Sequence, residues 1–155
     1  MTIRSPREED HDAWLAMRAA LWPECPHDDH RAEISQFGGS DPSVAAFVAV
    51  GPDDIPLGFA EVSLRPYADG CSSRPVGFIE GIYVRGDARG QGVGRALVVA
   101  AQDWAVSRGC SEMASDCLHD NESSIRFHCA VGFEIVETAV RFRRSIHPSS
   151  GGSAP

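Results

Sequence analysis

The sequence predicts an α+β domain in which helices surround a mixed, largely antiparallel sheet. Three observations carry that expectation. Strand-like runs at 45–50, 57–65 and 77–84 follow one another without the regular strand-helix alternation of a parallel sheet. Two helical patterns precede them. A glycine-rich loop, Arg89-Gly90-Gln91-Gly92-Val93-Gly94, then joins the last apolar run to a further helix. At 155 residues and 43% hydrophobic, with no linker-like interruption, the chain is expected to be one domain over 1–146. The segment 147–155, His-Pro-Ser-Ser-Gly-Gly-Ser-Ala-Pro, has almost nothing to bury and is expected to be a flexible tail.

In chain order, Thr2–Ser5 reads as a strand and Asp10–Leu21 as a helix with Trp14, Met17 and Leu21 inward, closed by Trp22-Pro23. A short helix is expected near Asp28–Phe37. Ala45–Val50, Leu57–Arg65 and Gly77–Val84 are the strands that follow. Past the glycine loop, Val93, Ala96, Leu97, Ala100, Ala101 and Trp104 recur at helical spacing and predict one buried stripe, ended by Gly109. A strand at Glu112–Asp116, a helix from Asn121 to Val131 and a strand at Glu134–Arg144 complete the expectation.

The loop has the makings of an anion cradle. Glycines let backbone approach an anion with no Cβ in the way, and the bare N–H groups of a helix's first turn face it with the positive end of the dipole. Arg89 and Arg95 would add cationic donors. A nucleotide P-loop is excluded, because Gly94 is followed by Arg95-Ala96 and not by lysine and a hydroxyl. A dinucleotide fingerprint is excluded by glycine spacing and by the loop's mid-chain position.

Composition narrows the partners. Fourteen basic against 22 acidic residues give a formal charge of −8, which repels nucleic acid and draws cationic molecules, although acidity also serves solubility. The five cysteines show no metal-ligand spacing and no even count for a disulfide framework, so reduced thiols and no metal are expected. With no basic signal-peptide start and no run approaching a membrane span, the expected location is the cytoplasm.

Carboxylates inside a site say more than net charge. Glu80 interrupts the apolar run Phe78–Val84, where a charge is costly unless paired or hydrated in a cleft; an open sheet face would also accept it. Asp116 closes the strand Met113-Ala114-Ser115-Asp116, a place aspartate also takes in ordinary turns. Glu137 by itself reads as solvent-facing. Trp22 reads as core by default, whereas Tyr67, just before Asp69-Gly70, is better placed for a ligand.

The motif R-x-x-G-x-G at Arg89–Gly94, followed by Asn121 and His128-Cys129-Ala130-Val131-Gly132-Phe133, resembles the GCN5-related N-acetyltransferases (GNAT). Leu21-Trp22-Pro23, Tyr67–Cys71, Phe78–Ile82, Glu112–Asp116 and Phe133–Glu137 narrow the likeness to the dimeric, chromosomal aminoglycoside 6'-N-acetyltransferase branch. This resemblance implies a sheet with helices on both faces and acetyl-coenzyme A as cosubstrate. Ile82, Tyr83 and Val84 would hold the pantetheine like an added strand. Arg89, Gly90, Gln91, Gly92, Val93, Gly94 and Arg95 would hold the pyrophosphate, and Asn121 would touch the coenzyme further along. It also implies a cationic amine acceptor lined by Trp22, Tyr67, Glu80, Asp116 and Glu137, and a homodimer with the last strand as contact edge.

Acetyl transfer would be direct, in a ternary complex, with Asp116 or Glu80 taking the ammonium proton. His128 stands where most members carry the tyrosine that protonates the thiolate, so it is the candidate acid, with a core histidine as the other reading. Cys25 departs from the branch, which has histidine there. A GNAT enzyme acting on another amine or peptide, or a non-catalytic acyl-coenzyme A sensor, are the alternatives.

Overall fold

The computed structural model describes residues 1–148, so most of the tail expected at 147–155 lies outside the described residues. Strand β1 (Thr2–Arg4) leads through a short 3-10 turn into α1 (His11–Leu21) and α2 (His27–Gln36). Then come β2 (Val44–Val50), β3 (Pro56–Arg65), β4 (Val76–Val84), α3 (Val93–Ser107), β5 (Met113–Ser115) and α4 (Glu122–Ala130). The sheet has the order β1-β2-β3-β4-β5. Its first four strands pair antiparallel, and β4 and β5 pair parallel, because α3 returns the chain to the same end of the sheet. The expected α+β, mostly antiparallel architecture is the one the chain adopts.

Alternation along β3 sorts the two faces. Phe59 packs with Trp14, Leu15, Met17, Ile34 and Val48 under α1 and α2. Ala60 and Val62 face the other way, onto Val93, Leu97, Val98 and Ala101 of α3. Phe127, Val131 and Phe133 cover that same face from α4 and the turn after it. Helices therefore flank both faces.

Two expectations need correction. In α3, Ala96, Ala100 and Trp104 are only half-buried, while Gly94, Val98 and Ala105 are buried with Val93, Leu97 and Ala101. The helix is rotated relative to the expected stripe because Gly94 seats Phe127: a Cβ there would stand 2.7 Å from its ring. The expected strand at Glu134–Arg144 does not form, and the chain runs from Glu134 to Pro148 without regular structure. Its alternating Val136, Val140 and Phe142 are exposed, Phe142 at 92%. A strand needs a neighbouring backbone, and the edge strand β5 spans only three residues.

Candidate active site

The site begins at an irregularity in β4. Glu61 pairs with Gly81 and Val62 with Ile79, so Glu80 has no partner across the ladder and forms a bulge. The bulge turns Glu80 to the α1 face, beside Ser63 and Arg65 of β3. Arg65 donates to both carboxylate oxygens, Nε at 3.0 Å and Nη2 at 2.7 Å, and Ser63 Oγ donates at 2.6 Å. Arg65 Cζ stands over the Phe78 ring, 3.5 Å from its centroid. Its pKa is raised, first through the Glu80 hydrogen bonds, against some burial, with the charge of Asp116 adding to it. Glu80 is thus a paired carboxylate at the surface of the sheet, not a buried one.

Asp116 stands just beyond β5, exposed, with Arg141 of the C-terminal segment 3.5 Å away. An ion pair this open contributes little and yields readily to a competing cation. Tyr67 is 65% exposed in the loop after β3. That loop meets the C-terminal segment at Gly70, where an added Cβ would fall 2.4 Å from Val136, next to the exposed Glu137.

Trp22 caps the C-terminus of α1 and lies across the bulge: a Cβ on Gly81 would come within 2.4 Å of its Cη2. A buried polar group holds the ring from behind. Arg18 stacks 4.8 Å from the Trp22 ring centroid, pairs with Glu61 and Glu33, and donates from Nε to His30 Nδ1 at 3.2 Å. Trp14 Nε1 donates to Glu61 at 3.0 Å. His30 Nε2 lies 3.3 Å from the Trp22 carbonyl, so His30 joins this support, while Cys25 donates to its neighbour's carbonyl, Pro26 O, at 3.7 Å.

The glycine loop is laid open by its backbone. Gly90 and Gly92 have φ of 76° and 82°, where side chains are disfavoured, and no described residue stands within 4 Å of a Cβ at either position. Gly92 is the N-cap of α3 with no side-chain cap, which leaves first-turn N–H groups facing out. The polar side chains of the loop turn back on the protein. Arg89 Nε donates to Val84 O at 3.0 Å and Gln91 to Asp87 O at 3.2 Å. Arg95 donates to Ala130 O at 2.8 Å, tying α3 to the end of α4. Asn121 is committed too, its side chain accepting from Ser124 N as the cap of α4.

Loop and bulge are joined by one strand edge. β5 covers β4 only from Gly77 to Ile79, so Glu80–Val84, with Ile82, Tyr83 and Val84, has no strand on that side among the described residues. On the α4 side of this fork sits His128, its Nδ1 2.8 Å from Ser124 O and its Nε2 2.9 Å from Ser115 Oγ.

Sequence reading missed Arg65, Ser63 and Ser115. The trace available was the alternation Glu61-x-Ser63-x-Arg65, a polar face on a strand whose other face is apolar. That Ser63 and Arg65 meet Glu80 depends on register and on the bulge, and that Ser115 meets His128 depends on where β5 ends.

Residues 9–133 match the Acetyltransferase (GNAT) family. The chain is 45% identical over 146 residues to an aminoglycoside N(6')-acetyltransferase type 1 of Klebsiella aerogenes, covering 93% of this chain and 96% of that one. It is 47% identical over 141 residues to the protein of that name in Serratia marcescens, covering 88% and 96%. Among solved structures, aminoglycoside N-acetyltransferase AAC(6')-Iy in complex with CoA superposes with a TM-score of 0.87 at 38% identity, over 94% of this chain and 95% of that one. The same enzyme with a bisubstrate analog, CoA-S-monomethyl-acetylneamine, gives 0.86 at 38% identity, over 94% and 98%.

Proposed function

Because this chain belongs to the acetyltransferase (GNAT) family, we propose that it transfers acetyl from acetyl-coenzyme A to the 6'-amino group of aminoglycoside antibiotics, a resistance activity. The observation that carries this reading is the continuity of one strand edge. Bare amides of the glycine loop stand at one end of the uncovered half of β4, and the acid-bearing bulge under Trp22 stands at the other. Diphosphate, acyl arm and amine are thereby set in a line.

In this reading Gly90 to Arg95 receive the diphosphate through backbone N–H groups, and Ile82, Tyr83 and Val84 receive the pantetheine as an added strand. Asn121, already the cap of α4, borders the coenzyme. Trp22, Tyr67 and Glu137 line the sugar rings, and Glu80 and Asp116 attract their ammonium groups. Asp116 is the favoured base. Both oxygens of Glu80 are taken by Arg65, which makes that carboxylate a docking group, whereas Asp116 is held by an open ion pair alone among the described residues. The freed amine attacks the thioester carbonyl, a backbone N–H between Gly81 and Tyr83 faces the oxyanion, and His128 supports protonation of the sulfur.

A panel of kanamycin, tobramycin, spermidine and peptides, assayed by acetyl-coenzyme A consumption, tests the reading. Turnover should be confined to drugs with an unhindered 6'-amine. Turnover of spermidine or peptides alone would overturn the acceptor assignment, and no turnover would point to a sensor.

Residues 1–146 act as a single acetyltransferase domain in this proposal. The enzyme works in the cytoplasm, where its acyl donor is made, and as a homodimer. The support for the dimer is the segment after Phe133, whose Val140, Phe142 and Ile146 are 78%, 92% and 86% exposed. Burying each such side chain contributes about 1.5–3 kcal/mol. Light scattering at micromolar concentration should report a dimer, and a monomer would contradict this.

A further inference from the structure

The contacts of His128 lead through its ring to a second residue. Ser124 O can only accept, so Nδ1, 2.8 Å away, carries a hydrogen. Nε2 lies 2.9 Å from Ser115 Oγ, and that oxygen is 3.3 Å from the carbonyl of Ile79. With a neutral ring, one hydroxyl hydrogen must serve both Nε2 and the carbonyl. With hydrogens on both ring nitrogens the contacts run in one direction, Nδ1–H to Ser124 O with Ser124 Oγ also at 3.3 Å, Nε2–H to Ser115 Oγ, and Oγ–H to the carbonyl. Phe127 and Phe133 stand edge-on to the imidazole at 5.6 and 5.4 Å and fix its plane.

The position of Ser115 gives this chain an outlet. It is the last residue of β5 and pairs with Ile79, the last residue of β4 that β5 covers. One residue on, the Glu80 bulge opens the fork. An acyl arm laid along the uncovered edge from Val84 reaches this point after about 13 Å, four residues of strand rise.

We propose that Ser115 hands a proton to the departing coenzyme A sulfur and that His128 resupplies it. The inference rests on the acetyl transfer proposed above. The amine nitrogen bonds to the carbonyl carbon, the C–S bond breaks, and its electron pair stays on sulfur. Sulfur takes the Ser115 hydroxyl proton, the serine oxygen takes the Nε2 proton, and His128 is left neutral with its Nδ1–H still on Ser124 O. The amine's own proton leaves through Asp116 to solvent, and solvent recharges His128 before the next turnover. The Ser115 hydroxyl carries the imidazole's proton to the fork where β5 ends.

The test is single-turnover acetylation of tobramycin in H2O, D2O and their mixtures. Ser115→Ala should slow transfer about 100-fold with acetyl-coenzyme A affinity unchanged and Tm lowered by no more than a few degrees for its two lost hydrogen bonds, and Ser115→Thr should restore most of the rate. His128→Gln, which keeps hydrogen-bonding ability but cannot relay a proton, should match Ser115→Ala, and the double variant should be no slower than either. The wild-type rate should curve with deuterium fraction, for two protons in flight, and both variants should lose the curvature. Loss of rate in His128→Gln with Ser115→Ala within twofold of wild type overturns the relay, since the ring then acts directly. Wild-type rates in both variants also overturn it and leave the acetyltransferase reading standing. A wild-type protein inert toward every amine in the panel overturns the reaction itself, and the relay with it.

Discussion

Replacing Gly81 with alanine tests whether the floor of the acceptor site is set by the contact between Trp22 and the β4 bulge. The new Cβ would lie 2.4 Å from Trp22 Cη2 and 2.6 Å from Cζ2, with Leu21 Cδ2 at 3.3 Å. Carbon atoms settle at 3.5 Å or more, so the indole must retreat by about 1 Å. Arg18 and the fully buried His30 stand against the ring, so the retreat disturbs a packed polar group and does not vent into solvent. Overpacking of this kind costs about 1–3 kcal/mol of stability. A 1 Å misplacement of a positioning group can cost up to about 100-fold in rate. Gly81→Ala should therefore lower Tm by several degrees and lower kcat/KM for tobramycin about 10- to 100-fold, with the KM for acetyl-coenzyme A little changed. Trp22→Phe removes the atoms that clash, so Gly81→Ala should cost much less in that background. An equal cost in both backgrounds, or a Gly81→Ala enzyme with native Tm and kcat/KM, would refute the reasoning.

Three further outcomes are expected. Asp116→Asn should lower kcat about 10²- to 10⁴-fold, the span for an acid–base group, while Glu80→Gln should act mainly on KM because Arg65 already occupies its oxygens; the reverse pattern in steady-state kinetics would exchange the two roles. Gly92→Asp puts a negative side chain into a cradle where no described residue stands within 4 Å, with some backbone strain at φ 82°, so calorimetry should show acetyl-coenzyme A binding collapse while circular dichroism stays native, and unchanged affinity would remove the loop from the site. The Asp10 carboxyl is pushed up by burial, but hydrogen bonds from Arg4 and the Arg7 N–H outweigh this and hold it below its ordinary range. A lowered folded pKa gives stability that is present above the unfolded value, near 4, and lost as pH falls through the folded one. Tm should accordingly drop on acidification below about pH 4, and Asp10→Asn should be less stable at neutral pH with a flatter acid limb; identical slopes would contradict this.

Much of the fold was legible because its signals are local. The expected strands at 45–50, 57–65 and 77–84 match Val44–Val50, Pro56–Arg65 and Val76–Val84 to within a residue, since each apolar run ends at glycine, proline or a charge. The helix after the glycine loop was equally plain, but its facing was not. Spacing alone could not report that Phe127, from α4, would claim the surface of Gly94 and turn the contact face. The strand expected at 134–144 carries a sound period-2 pattern and still does not form here, because pairing is a property of two backbones and a pattern describes one.

The sequence by itself determined that a bare, positively disposed helix N-terminus follows an apolar strand, and that Glu80, Asp116 and His128 stood out in apolar or motif-bearing stretches. These follow from side-chain chemistry and near-neighbour spacing. Tertiary structure alone decided their partners. The bulge opposite Glu61 and Val62 aims Glu80 at Arg65, the parallel pairing of β5 ends at Ser115 and opens the fork, and Trp22 lies across Gly81. Arg95, expected at the cradle, donates to the carbonyl of Ala130 from one of its nitrogens. Each of these contacts joins residues far apart in the chain, so each depends on strand register and helix facing, which the packing of the whole core sets at once.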